Sequence, residues 1–155
     1  MFDFLKKKDK GIEIGAPVKG KAVPISQVSD PTFGEEILGK GVAIQPADGK
    51  IYAPADGTIE KHAVSMTTTE GVELLVHIGL DTVALKGEHF TAHKGNGDAV
   101  KKGDLLISVD LEAVKAAGYD VITPMVVCNT SDYQTVEAVT GSDVNPGDTV
   151  LILKK

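Results

Sequence analysis

Apolar residues in this chain come in runs of four to seven, and glycine, proline or aspartate closes nearly every run. The runs include Gly41-Val42-Ala43-Ile44, Lys50-Ile51-Tyr52-Ala53, Val72 through Ile78, Asp104 through Val109 and Asp148 through Leu153. Segments too short for a stable helix and bounded by turn formers read as strands. Many of them at close spacing read as an antiparallel sandwich or barrel. Only two stretches carry helix signals. Asp110 can cap Leu111 through Ala117, with Gly118 as the stop, and Asp30 can cap Pro31 through Leu38, with Gly39 as the stop. The expectation is an all-β fold with one or two short helices, occupying residues 11–155 as one domain behind a mobile tail, residues 1–10.

Two internal echoes predict a duplicated β unit. Ala16-Pro17-Val18-Lys19-Gly20 resembles Ala53-Pro54-Ala55-Asp56-Gly57, and Val100-Lys101-Lys102-Gly103-Asp104 resembles Val144-Asn145-Pro146-Gly147-Asp148. Each reads as strand, turn, strand with glycine at the corner. Two copies are too few for a stacked array.

Composition narrows the function. Among 155 residues, 22 acids face 16 bases, every base is Lys, and the formal charge is −6. Nucleic-acid binding needs clustered positive charge, so it is excluded as a leading reading. Without Arg there is also no bidentate phosphate clamp. One cysteine, Cys128, rules out a disulfide framework and suits a reducing cytoplasm. No apolar run approaches the roughly 18 residues of a membrane span. Residues 1–8 are apolar and basic but lack the long apolar stretch of a signal peptide. The preferred reading of residues 1–10 is a solvated terminus, and weak contact with anionic lipid is the alternative.

The histidines are His62, His77, His89 and His93. His62 through Thr67 and Val72 through Ile78 read as the arms of one hairpin. An even loop there would set His62 directly opposite His77, with Cβ atoms about 5 Å apart. A three-residue loop ending at Gly71 would shift the register by one and separate them. Alternation puts Leu74, Val76 and Ile78 on the core row, and Leu75 and His77 on the outer row. Two imidazoles side by side can hold a metal, or one can act as a nucleophile while the other supports the carried group. Two alone do not complete a zinc site, and no His-Glu-x-x-His motif is present. His89 and His93 have the i,i+4 spacing but sit among Gly87, Gly95 and Gly97, so a loop is expected there rather than a helix with metal ligands.

The run Leu74-Leu75-Val76-His77-Ile78-Gly79-Leu80-Asp81-Thr82-Val83, followed by Leu85-Lys86-Gly87-Glu88, resembles the active-site signature of the glucose-type enzyme IIA components of the bacterial sugar phosphotransferase system. His62 lies 15 positions before His77, as in that family. Asp30-Pro31-Thr32-Phe33, Ile37 through Ile44, Ala53 through Thr58 and Thr123 through Val127 also fit, so the resemblance spans residues 12 to 155. It implies an antiparallel sandwich built from a duplicated hybrid motif. It also implies a cytoplasmic phosphocarrier that needs no cofactor or metal. His77 would take the phosphoryl group on Nε2 from the phosphohistidine of HPr, and His62 would hydrogen-bond that group. The acceptor would be a cysteine of the enzyme IIB domain of a sugar transporter. Backbone N–H groups near Gly79 would assist. Phe33, Ile37, Leu75 and Val83 would form an apolar docking patch, flanked by Asp30 and Asp81.

Two departures stand out. Between Gly57-Thr58 and His62 the family has a longer stretch containing a Thr, and here only Ile59-Glu60-Lys61 intervene. The family prefers Gly where this chain has His89. The shortened stretch keeps a second reading open, a regulatory module that docks on partners with an impaired relay. A zinc hydrolase using His62, His77 and a carboxylate is a weaker third, because no such carboxylate is identifiable.

Overall fold

The structure, a computed structural model, describes residues 11–60, 65–80, 82–85 and 88–155, with the backbone alone for 83 and 84. The strands in chain order are β1 (Ile12–Gly15), β2 (Gly20–Pro24), β3 (Lys40–Pro46), β4 (Lys50–Tyr52), β5 (Gly57–Ile59), β6 (Ser65–Thr68), β7 (Glu73–Val76), β8 (Phe90–Ala92), β9 (Ala99–Val100), β10 (Leu105–Val109), β11 (Thr123–Val127), β12 (Thr135–Ala138), β13 (Asp143–Val144) and β14 (Thr149–Lys154). Helix α1 (Pro31–Gly34) precedes β3, and helix α2 (Leu111–Ala116) follows β10. Every strand pairing among the described residues is antiparallel. The strands form one eight-stranded sheet, β13-β2-β3-β11-β7-β6-β5-β9, and two three-stranded sheets, β1-β14-β12 and β4-β10-β8. This is the all-β architecture expected from the short runs.

Alternation assigns the faces. Val42 and Ile44 of β3, Leu74 and Val76 of β7, and Met125 and Val127 of β11 point inward. They share one core with Ile14, Leu151 and Leu153 from one small sheet and with Ile51, Leu106 and Val109 from the other. The opposite face of the large sheet carries a second, smaller cluster. Val23, Ala43 and Val126 lie on it, covered by Ile25, Val28 and Phe33 from the segment before β3 and by Leu80 and Ile122.

The duplication is visible in the hydrogen bonds. The N–H of Ala16 donates to the Asp148 carbonyl at 2.7 Å, and the N–H of Gly147 donates back to Ala16 at 3.0 Å. The same pair recurs as Ala53 to Asp104 at 2.8 Å and Gly103 to Ala53 at 2.9 Å. Asn145 and Lys101 each donate their N–H to the side chain of the aspartate three positions on, at 2.8 and 2.9 Å. Gly147 and Gly103 both have φ near +94°, at 93° and 94°, the left-handed conformation that glycine adopts without strain. The copies are joined to each other in the same symmetric way. Gly15 N–H donates to Pro54, and Tyr52 N–H donates to Pro17. The two sequence echoes are therefore partners in space: each Ala-Pro turn closes against one Gly-Asp turn.

Both helices are capped as expected. The Asp30 side chain accepts from Thr32 N–H at 3.0 Å, and the Asp110 side chain accepts from Ala113 N–H at 3.1 Å. Helix α1 is shorter than the stretch 31–38 predicted for it. Gly34 approaches the Val28 carbonyl so closely that a Cβ would lie 2.2 Å from the oxygen, and Glu36 turns the chain at φ 59°. Among the described residues no helix is long and apolar enough to cross a membrane. The predicted tail, residues 1–10, lies outside the described residues.

Candidate functional site

Strand β7 ends at Val76, but its ladder to β11 runs one step further: His77 N–H donates to the Pro124 carbonyl at 2.9 Å. Leu74, Val76 and Ile78 are buried, so alternation sends His77 to the other face with Leu75. That face holds the small apolar cluster, and half-buried His77 stands at its margin. The Phe33 ring packs on the imidazole with centroids 5.3 Å apart and planes tilted by 49°. Such a tilted aromatic contact restrains the ring.

The Nδ1 atom of His77 lies 2.5 Å from the Gly79 carbonyl oxygen. A carbonyl only accepts, so we assign the proton to Nδ1 and the free lone pair to Nε2. Among the described residues nothing hydrogen-bonds Nε2. Gly79 presents its carbonyl there because its φ is 76°, and a Cβ on it would lie 2.7 Å from Thr82 Cγ2 and 2.8 Å from the Asp120 oxygen. Only glycine fits the space and the dihedral. The arrangement is a nucleophilic nitrogen with a fixed tautomer, at the edge of an apolar surface.

Several expectations are corrected by the geometry. Strand β6 pairs with β7 as Ser65 with Leu75, Met66 with Leu74 and Thr67 with Glu73. Thr68 N–H donates to Val72, and Thr69, Glu70 and Gly71 form the turn, with Gly71 at φ 89°. This is the odd, three-residue loop, which shifts the register of the described β6 residues by one from the even-loop expectation, so the hairpin gives no support to opposed imidazoles. On the other side of β6, Ile59 of β5 lies opposite Met66 and Glu60 N–H donates to the Ser65 carbonyl at 3.0 Å. Residues 61–64, His62 among them, lie outside the described residues, as do Asp81 and the side chain of Val83.

Phe33 was expected on an exposed docking patch and is instead 5% exposed, held in the small cluster and against His77. Ile37, expected on the same helix face, is 69% exposed, because α1 stops at Gly34 and the chain turns away. Leu75 is half-buried at the margin of the cluster. Asp30 spends one carboxylate oxygen on the α1 cap. Gly79 acts through its carbonyl, while the N–H of Leu80 is committed to the Asp120 carbonyl at 2.9 Å. Sequence reasoning placed Thr123 through Val127 in the resemblance but missed that the Asp120 and Pro124 carbonyls anchor both ends of the His77 turn. The one signal there was Asp120, whose side chain accepts from Ile122 N–H two residues on.

The other histidines lie elsewhere. His89 and His93 flank β8, so their spacing does not place them on one helical turn. His89 has φ 75°, which explains why a glycine would fit that position. His93 Nε2 is 2.9 Å from the Ser108 hydroxyl.

Residues 12–133 match the model of the phosphoenolpyruvate-dependent sugar phosphotransferase system, EIIA 1 family. The chain is similar to the glucose-specific EIIA component of Haemophilus influenzae, with 42% identity over 160 residues covering 100% of this chain and 96% of that one. It is also similar to the β-glucoside-specific EIIBCA component of Bacillus subtilis, with 45% identity over 145 residues covering 90% of this chain but only 24% of that one. This chain thus spans about a quarter of the length of that longer relative. Among solved structures, glucose permease IIA from Mycoplasma capricolum superimposes with a TM-score of 0.86 and 34% identity, covering 94% of this chain and 97% of that one.

An antiparallel β sandwich with these relatives falls in the EIIA class of phosphotransferases, a class that works through a phosphohistidine intermediate. The chain belongs to the phosphoenolpyruvate-dependent sugar phosphotransferase system EIIA 1 family.

Proposed function

We propose that His77 carries the phosphoryl group on Nε2, taking it from the phosphohistidine of HPr and passing it to a cysteine of an enzyme IIB domain at the cytoplasmic face of a sugar transporter. The observation that carries this reading is the short contact between His77 Nδ1 and the Gly79 carbonyl. It leaves Nε2 as the only ring nitrogen with a lone pair. In the uptake step Nε2 attacks phosphorus in line, the new N–P bond forms, and the donor's N–P bond breaks. The His77 ring becomes cationic while Nδ1 keeps its proton, and the Gly79 carbonyl stabilises that charge. No proton has to move. In the onward step a cysteine thiolate attacks phosphorus, and the N–P bond breaks as the S–P bond forms.

A half-buried ring on a rim suits a relay, because the phosphate stays reachable by the next partner. His62 is proposed to support the phosphoryl group, and Asp81 is proposed as a supporting residue. Leu75, exposed Ile37 and Val83 are proposed as docking residues, and Asp30 as a charged flank. Relatives are named for glucose, β-glucoside and mannose, which supports a sugar specificity that lies in the transporter partner.

The test is labelling with enzyme I, HPr and radioactive phosphoenolpyruvate. Intact protein is expected to take up phosphate, His77→Ala to take up none, and His62→Ala to accept it but transfer it poorly. An unlabelled intact protein, beside an EIIA control that labels, would overturn the reading. Uptake without onward transfer to any enzyme IIB would point to the docking module that the shortened β5–β6 connection keeps open.

A further inference from the structure

We propose that Thr82 is a positioning residue for the accepting imidazole, one that sets the tautomer of His77 by pinning the backbone at Gly79. The proposal rests on the reading of His77 as the acceptor. Gly79 is the residue with the widest conformational freedom in the turn, and its carbonyl reaches Nδ1 only at its observed positive φ. Two peptides flank it, and both are held. The Gly79–Leu80 peptide is held at both its polar atoms, the carbonyl on His77 Nδ1 and the N–H on the Asp120 carbonyl. The Ile78–Gly79 peptide is held through its carbonyl, which accepts from Thr82 Oγ1 at 2.6 Å. Among the described residues no other donor reaches that carbonyl.

Thr82 is 6% exposed, so water cannot take over either role of its hydroxyl. Its methyl closes the same place, lying 2.7 Å from where a Cβ on Gly79 would stand. Without the hydroxyl the Ile78 carbonyl is left unsatisfied and the peptide is free to rotate. The Gly79 carbonyl then leaves Nδ1, and the ring proton can move to Nε2, which removes the attacking lone pair.

The experiment uses full-length protein labelled with 15N at histidine, at a pH where the rings are neutral. Long-range 1H–15N correlation reads the tautomer, and phosphoryl uptake is measured on the same samples. Thr82→Val keeps the shape and loses the donor. It is expected to show a population protonated at Nε2 of His77 and uptake slowed roughly 10–100-fold, the usual cost of losing an orienting partner. Thr82→Ser keeps the donor and is expected to hold the Nδ1–H tautomer at close to the wild-type rate. A valine variant with the wild-type tautomer would overturn the proposal, as would a serine variant that behaves like valine. If the valine variant does not fold, the wild-type hydroxyl proton decides: slow exchange at Thr82 supports the bond, and fast exchange overturns it. The tautomer is read without any phosphoryl donor, so failure of His77 to label leaves this test intact.

Discussion

An imidazole accepts a phosphoryl group well only when one nitrogen keeps its lone pair and the other keeps its proton. In this chain the Gly79 carbonyl favours that division by accepting from His77 Nδ1, and the Phe33 ring packs against the imidazole. The sequence signature pointed to His77, and to N–H groups near Gly79 rather than to the Gly79 carbonyl. It placed Phe33 on the surface, because an aromatic at a helix start gives no sign of whether the helix continues or turns. A contrasting residue is Cys128. Although it is exposed, partial burial of the thiol and the neighbouring Glu73 carboxylate push its pKa above the ordinary thiol value. A raised pKa leaves less thiolate at neutral pH. Alkylation by iodoacetamide should therefore be slower than for free cysteine at neutral pH, should rise with pH to a midpoint above the ordinary thiol value, and should shift to lower pH in Glu73→Gln. A midpoint at or below the ordinary value would contradict this.

At the scale of elements, strands were legible because their apolar alternation survives in the fold, as in Leu74, Val76 and Ile78. The register of the β6–β7 hairpin was not. It turned on whether the loop held an even or an odd number of residues, and Thr69-Glu70-Gly71 is compatible with both. Gly71 decides it by taking φ 89° at the end of a three-residue turn. Nothing lies within 4 Å of a Cβ placed there, so the conformational penalty stands alone. Gly71→Ala should cost roughly 1–2 kcal/mol, read as a lower urea midpoint at unchanged slope. An unchanged midpoint would mean that the turn does not set the register. Helix α1 teaches the same lesson. Asp30 and Pro31 marked its start correctly, but its end lies at Gly34, where close backbone approach stops the helix, a constraint invisible in local sequence.

Across the whole molecule the duplication was readable as two faint echoes, and the fold explains why they are faint. Only the residues that make the paired turns must match: Ala16 with Ala53, Gly147 with Gly103, Asp148 with Asp104. The rest serve different layers. That each Ala-Pro turn closes on one Gly-Asp turn could not be read from sequence, because the partners are more than 40 positions apart. Charge also acts at this scale. A net −6 without Arg makes an acidic body, and a basic donor would supply the positive charge at the transfer step. Phosphoryl uptake should therefore slow as salt rises through the range where the Debye length falls from about 30 to 10 Å. A salt-independent rate would contradict that view of the encounter.

The central claim is that His77 accepts phosphate on Nε2 while the Gly79 carbonyl keeps the proton on Nδ1. Long-range 1H–15N correlation on histidine-labelled protein, before and after phosphorylation, tests it most directly. The account predicts that one histidine changes, His77, with phosphorus coupled to Nε2 and Nδ1 still protonated. Phosphorus on Nδ1 of His77, or on any other histidine, would contradict it.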